Sequence, residues 1–165
     1  MFVRAPNYLS HMGRREGGNE GEAAVLASLV RKGFRVLLPF GEGHPYDLAV
    51  HLPERHLLRV QCKTAWRAGG CMIFNTLATD HGSGPKSYLG HADIFGVYFP
   101  PTSTVYLIQI DAVAATEGRL RLEPTKNNQR LGIRFAADYE IDRWSIESLR
   151  QLVSTSEITA EVATA

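Results

Sequence analysis

The stretch His44–Trp66, HPYDLAVHLPERHLLRVQCKTAW, sets an acid, an amide and an amine among apolar residues. It reads as two strands joined by the turn PERH. Side chains alternate along a strand. Leu58, Val60, Cys62 and Thr64 therefore share one face of the second strand, and Arg59, Gln61 and Lys63 the other. In the first strand Asp47, Ala49 and His51 lie opposite Tyr46, Leu48, Val50 and Leu52. Register decides whether the polar groups meet. Pairing Leu52 with Leu57 sets Asp47 against Cys62, out of phase with Gln61 and Lys63. A shift of one residue, or a bulge, sets Asp47 opposite Gln61 or Lys63. The shifted register is the one predicted, with all three groups on one face. An unpaired charge buried there would destabilise the domain or change its protonation. Two readings fit the spacing: an Asp47–Lys63 ion pair on an exposed sheet face, or a site that does chemistry.

A second acid favours the site. NEGEAAVLASLVRKG is the clearest helix, with Asn19 suited to the N-cap and Glu20 and Glu22 in its first turn. Lys32 falls in the last turn and Gly33 is a natural C′ residue. Val25, Leu26, Leu29 and Val30 form an apolar stripe. Glu22 lies three and four residues before Val25 and Leu26, so it shares their face. If this helix packs on the sheet, Glu22 reaches the same end as Asp47. Two carboxylates, the Gln61 amide oxygen and the Cys62 backbone carbonyl suit a hard cation. Mg²⁺ prefers oxygen donors, keeps several waters and takes one or two carboxylates; Mn²⁺ is a possible substitute. Lys63 would orient or help deprotonate a water aimed at phosphorus.

The remaining elements must hold these residues in place. Phe34–Leu38 is a short strand stopped by Pro39, and GGCMIFNTL a further strand after Gly69-Gly70. Asp80–Ser87 is too rich in Gly, Pro and Ser to be regular. Asp93–Phe99 and Thr104–Ile110 are strands around Pro100-Pro101. Pro124–Arg130 reads as a polar loop, and Ser145–Val153 as a short helix capped by Ser145. The expected organisation is a flexible arm over 1–18, one domain over 19–153 and a frayed tail over 154–165. The order of elements indicates an α+β or α/β domain, a central sheet with the first helix across one face, and α/β is the class expected.

The chain's 165 residues, 44% hydrophobic and 21% charged, fit one packed domain. No apolar run is long enough for a bilayer, and the N-terminus lacks a secretory h-region. The expectation is a soluble protein of the cytoplasm. Cys62 and Cys71 form no CxxC pair, which argues against zinc and against a disulfide framework. None of the six histidines has an HxxxH or HExxH spacing; His44, beside Asp47, is the best-placed helper. Neither GxGxxG nor a P-loop is present.

At GEAAVLASLVRKGFRVLLPFGEGHPYDLAV and LRVQCKTAW the sequence resembles the PD-(D/E)xK nuclease superfamily, in the branch with QxK that includes a group I intron homing endonuclease. The resemblance is clearest over Gly21–Trp66 and looser through DIFGVYFPPTSTVYLIQI and TKNNQRLGIRFAADYE. It implies a restriction-endonuclease-like core with a mixed central sheet. Glu22 matches the helix acid, Asp47 the metal-binding acid and Lys63 the motif lysine, while Gln61 stands where an acid is usual. The implied activity is Mg²⁺-dependent hydrolysis of double-stranded DNA by a homo-oligomer, a dimer or tetramer. A junction-resolvase-like nuclease and a catalytically silent DNA-binding or assembly module are the alternatives. Net charge is only +1, so phosphate contacts would come from local clusters. Trp66, Arg67, Lys86, Lys126 and Arg130 are the candidates, although an exposed basic residue is more often simply solvated surface.

Overall fold

The computed structural model describes residues 14–41, 43–80, 84–125, 129 and 131–152. Residues 1–13 of the expected arm, Val153, the expected tail over 154–165, Lys126 and Arg130 lie outside the described residues.

Helix α1 spans Arg14–Arg31. It begins five residues before the predicted cap, so Asn19 is an interior residue. Gly17 and Gly18 do not stop it. A helical glycine costs only about 1 kcal/mol relative to alanine, and tertiary packing of the downstream turns can outweigh that. The C-terminus follows expectation. Gly33 takes φ +82°, its N–H donates to Val30 C=O at 2.9 Å, and Phe34 N–H donates to Leu29 C=O at 3.1 Å. These two bonds form a Schellman cap. Val25 and Leu29 are fully buried, but Val30 is exposed, being rotated about 100° from Leu29.

Strands β1 (Arg35–Leu37), β2 (Leu48–His51) and β3 (Leu57–Thr64) precede β4 (Trp66–Ala68) and β5 (Cys71–Asn75). Next come β6 (Leu77–Asp80), β7 (Gly84–Ser87), β8 (Ile94–Phe99), β9 (Thr104–Gln109) and β10 (Glu117–Arg121). The main sheet has the order β1-β2-β3-β8-β9, with β3 and β8 parallel and the other neighbours antiparallel. A smaller sheet has the order β10-β5-β4. Leu48, Val50, Leu58 and Val60 turn toward α1 with Leu107 and Val105. Phe95, Val97 and Ile108 turn the other way, onto Met72, Phe74 and Leu120 of the smaller sheet. The layers are thus helix, five-stranded sheet, three-stranded sheet, in agreement with an α/β restriction-endonuclease-like core.

Two elements depart from expectation. Asp80 and Gly84–Ser87 are strand, not the irregular stretch expected: β6 and β7 pair antiparallel, Leu77 with Ser87 through Asp80 with Gly84. Residues 81–83 between them lie outside the described residues, and Pro85 is tolerated in a two-stranded ribbon, which has no interior strand. Gly69 and Gly70, at φ +56° and +73°, close a hairpin between β4 and β5. The C-terminal helix, 146–152, starts where expected: Ser148 N–H donates to Ser145 Oγ at 3.2 Å. Among the described residues no helix is long and apolar enough to cross a membrane.

Candidate active site

The register places the acid beside the amide. Leu48 pairs with Val60, Val50 with Leu58 and His51 with Leu57. Extending the ladder by one step sets Asp47 opposite Gln61, the predicted shift. Asp47 N–H donates to Val60 C=O at 3.0 Å. The Asp47 carboxylate then accepts twice on one oxygen: Oδ2 takes Gln61 Nε2 at 2.5 Å and Cys62 N–H at 2.7 Å. Oδ1 is not used by these two donors. Gln61 is 8% exposed, and with its nitrogen on Asp47 its carbonyl oxygen is the end left to act as a donor atom toward a cation.

The Cys62 backbone is aimed at the same place. Groups two residues apart on a strand point to the same edge. Val60 C=O faces β2, so Cys62 C=O faces that side too, just past the end of β2. The Cys62 thiol is pushed up beyond reactive range, by burial first and then by Asp47 and Glu22. Its sulfur packs against the helix-side core.

Glycine at position 21 brings Glu22 in. A Cβ built on Gly21 would overlap the Thr64 hydroxyl and come within 3.7 Å of Lys63 O. One turn on, a Cβ at Gly96 would lie 2.6 Å from Val25. These two glycines let α1 lie close on β3 and β8. Glu22 is half-buried, and its carboxyl is held above the usual range by burial and by the Asp47 charge. Asp47 is also raised, by burial, with Cys62 N–H, Lys63 and Gln61 acting in the opposite direction. Two partly desolvated acids that disfavour each other's charge are relieved by a cation.

Lys63 lies on the same face of β3 as Gln61, but it does not form the direct ion pair with Asp47. Its Nζ donates to the Tyr88 hydroxyl at 2.9 Å and sits 4.4 Å from the Tyr88 ring centroid. Burial lowers the Lys63 pKa, while Asp47 and Cys62 oppose that. Sequence spacing does not single out Tyr88. It is 25 residues from Lys63, and no local pattern joins them. Its phenol is pushed up to about 12 by burial and by Asp47, so it stays protonated. A further pair steadies β3 against β8. Arg59 Nη2 meets Asp93 Oδ1 at 2.7 Å, Arg59 Nε meets Oδ2 at 3.1 Å, and Arg59 N–H donates to Oδ2 at 2.7 Å.

The other candidates do not join this cluster. His44 Nε2 lies 2.8 Å from Phe40 O. Trp66 is half-exposed on β4, Arg67 is ion-paired to Glu123, and Lys86 is exposed on β7. A cleft of about 820 Å³ is lined by Arg121, Phe135, Asp138 and Arg143, and contains none of the clustered residues. Among the described residues no three of His, Cys, Asp and Glu gather as a metal cluster. A cation here would rest on two carboxylates, completed by amide, backbone and water oxygens. That donor set fits Mg²⁺.

An acid on a helix, an acid before a strand and a lysine on the next strand gather around one end of a mixed sheet. The sequence profile of the PD-(D/E)XK endonucleases matches residues 12–142, and the chain belongs to that family. The fold is similar to that of the bacterial homing endonuclease I-Ssp6803I, at 20% identity and a TM-score of 0.62, over 88% of this chain and 98% of that one. No curated protein sequence matches the chain.

Proposed function

We propose that the chain is a Mg²⁺-dependent endonuclease that hydrolyses phosphodiester bonds of duplex DNA in the manner of a homing endonuclease. The observation that carries this reading is the convergence of Glu22 and Asp47 at the end of β3, beside Lys63. Asp47, Glu22, the Gln61 amide oxygen and the Cys62 carbonyl would hold one or two cations. When bound, Mg²⁺ supplies positive charge to the phosphate and acidifies a water. Lys63 holds the attacking water in line with phosphorus and offsets charge that builds on the phosphate oxygens. Gln61 fixes Asp47 by its nitrogen and adds no charge of its own, so cation affinity rests on the two acids. Trp66, Arg67 and Lys86, with Lys126 and Arg130, are proposed to contact the duplex. Two copies would place one such site on each strand. The DNA and the enzyme would meet in the cytoplasm.

Nicking of supercoiled plasmid tests the proposal. Conversion to open circles in Mg²⁺ or Mn²⁺, abolished by EDTA and by Lys63→Ala, is the expected result. Binding without nicking in either metal would identify a silent DNA-binding module instead. Strong preference for branched over linear duplex would identify a resolvase.

A further inference from the structure

The motif lysine has a long, flexible side chain, yet its charged end is held at the hydroxyl end of one residue. The Tyr88 hydroxyl accepts from Lys63 Nζ at 2.9 Å, and the same nitrogen is 4.4 Å from the ring centroid. The first is a hydrogen bond from a charged donor, the second a cation–π contact, and burial strengthens both.

Tyr88 is itself rigidly held. It is 9% exposed. Its ring meets Phe95 edge-on, centroids 5.7 Å apart and planes at 88°, and Phe95 meets Phe74 at 5.6 Å. This aromatic chain runs into the core between the two sheets. The Tyr88 backbone carbonyl accepts from His91 N–H at 2.9 Å and Ala92 N–H at 3.0 Å. The turn so fixed leads to Asp93, whose carboxylate clamps Arg59 on β3. Tyr88 and Lys63 thus sit on segments tied together through Arg59 and Asp93. Without Tyr88 the lysine would sample many rotamers or fall onto Asp47, where it would compete with a cation.

We propose that Tyr88 is a positioning residue for Lys63, fixing the ammonium beside the acid pair but off the acids themselves. The inference rests on the nuclease reading and adds to it a residue that the QxK pattern does not contain. Tyr88 need not touch DNA.

Tyr88→Phe keeps the ring and its packing and removes only the oxygen. The expected effect is about a tenfold fall in the single-turnover cleavage rate, the scale of one hydrogen bond to a charged group. DNA affinity and melting temperature should hardly change, and Tyr88→Leu, which removes the ring as well, should cost more. The chain has four lysines, so the Lys63 Nζ resonance can be assigned by its loss in Lys63→Arg. Tyr88→Phe should shift that resonance and speed its hydrogen exchange, leaving the other lysines unmoved. A wild-type cleavage rate in Tyr88→Phe, or an unmoved Lys63 resonance, overturns the positioning role. A wild-type protein that cleaves no DNA while the Lys63 signal still responds overturns the nuclease reading, not the contact.

Discussion

Gln61 donates its side-chain N–H to Asp47 Oδ2 at 2.5 Å, joining a neutral amide to the acid on the neighbouring strand. An acid at 61 could not make this bond while ionised. Gln61→Glu would set two carboxylates together and remove a donor from Asp47. Without cation the variant should lose about 1–3 kcal/mol of stability. With Mg²⁺ it should recover, and half-saturation should fall to lower Mg²⁺ because the site gains charge. Urea unfolding with and without Mg²⁺ measures both effects. Equal losses in the two conditions would mean that position 61 does not face the cation.

The two acids also set a pH dependence. Glu22 and Asp47 both have raised folded pKa values, with burial as the first cause. The folded chain therefore holds its protons to higher pH than the unfolded chain. The associated stability is complete below the unfolded carboxylate range, about pH 4, and is lost as pH rises through the raised folded values. At neutral pH, without cation, the ionised pair is a liability. Asp47→Asn should raise the melting temperature at pH 7 in EDTA and abolish cleavage. Its stability advantage should vanish below about pH 4, where the native acid is protonated too. Added Mg²⁺ should stabilise the wild type more than the variant.

Helix α1 offers a paired test of placement. Gly21→Ala drives a methyl group into the Thr64 hydroxyl, and unless Thr64 rotates away the helix lifts and carries Glu22 with it. A loss of about 1–3 kcal/mol is expected from such overpacking, with cleavage reduced further than stability alone explains. Gly18→Ala meets nothing within 4 Å. It should stabilise the helix by about 0.5–1 kcal/mol and leave cleavage unchanged. If the two substitutions behave alike in urea unfolding and plasmid nicking, close approach at Gly21 does not position the acid.

The legible part of this site was local. Alternation along β3 alone put Gln61 and Lys63 on one face, and the spacing of Glu22 from Val25 and Leu26 set its direction. The register shift could be read because only that shift brings Asp47 into phase. The α1 start was misread because Asn19 carries a cap signal and Gly17-Gly18 a breaker signal, while the packing that outweighs both is tertiary. The β6–β7 pairing was misread because Gly, Pro and Ser dominate the short sequence span Asp80–Ser87. Tyr88 could not be found at all. Its contact with Lys63 depends on how β8 lies beside β3 and on the Arg59–Asp93 clamp, which joins residues 34 apart.

Anomalous diffraction from crystals grown with Mn²⁺ tests most directly whether the end of β3 is the reaction centre. The expected result is a peak at the end of β3 that the Asp47 and Glu22 carboxylates and the Cys62 carbonyl would hold, with Lys63 beside it. A Mn²⁺ peak elsewhere, with the Asp47–Glu22 site empty at concentrations that support cleavage, would contradict it.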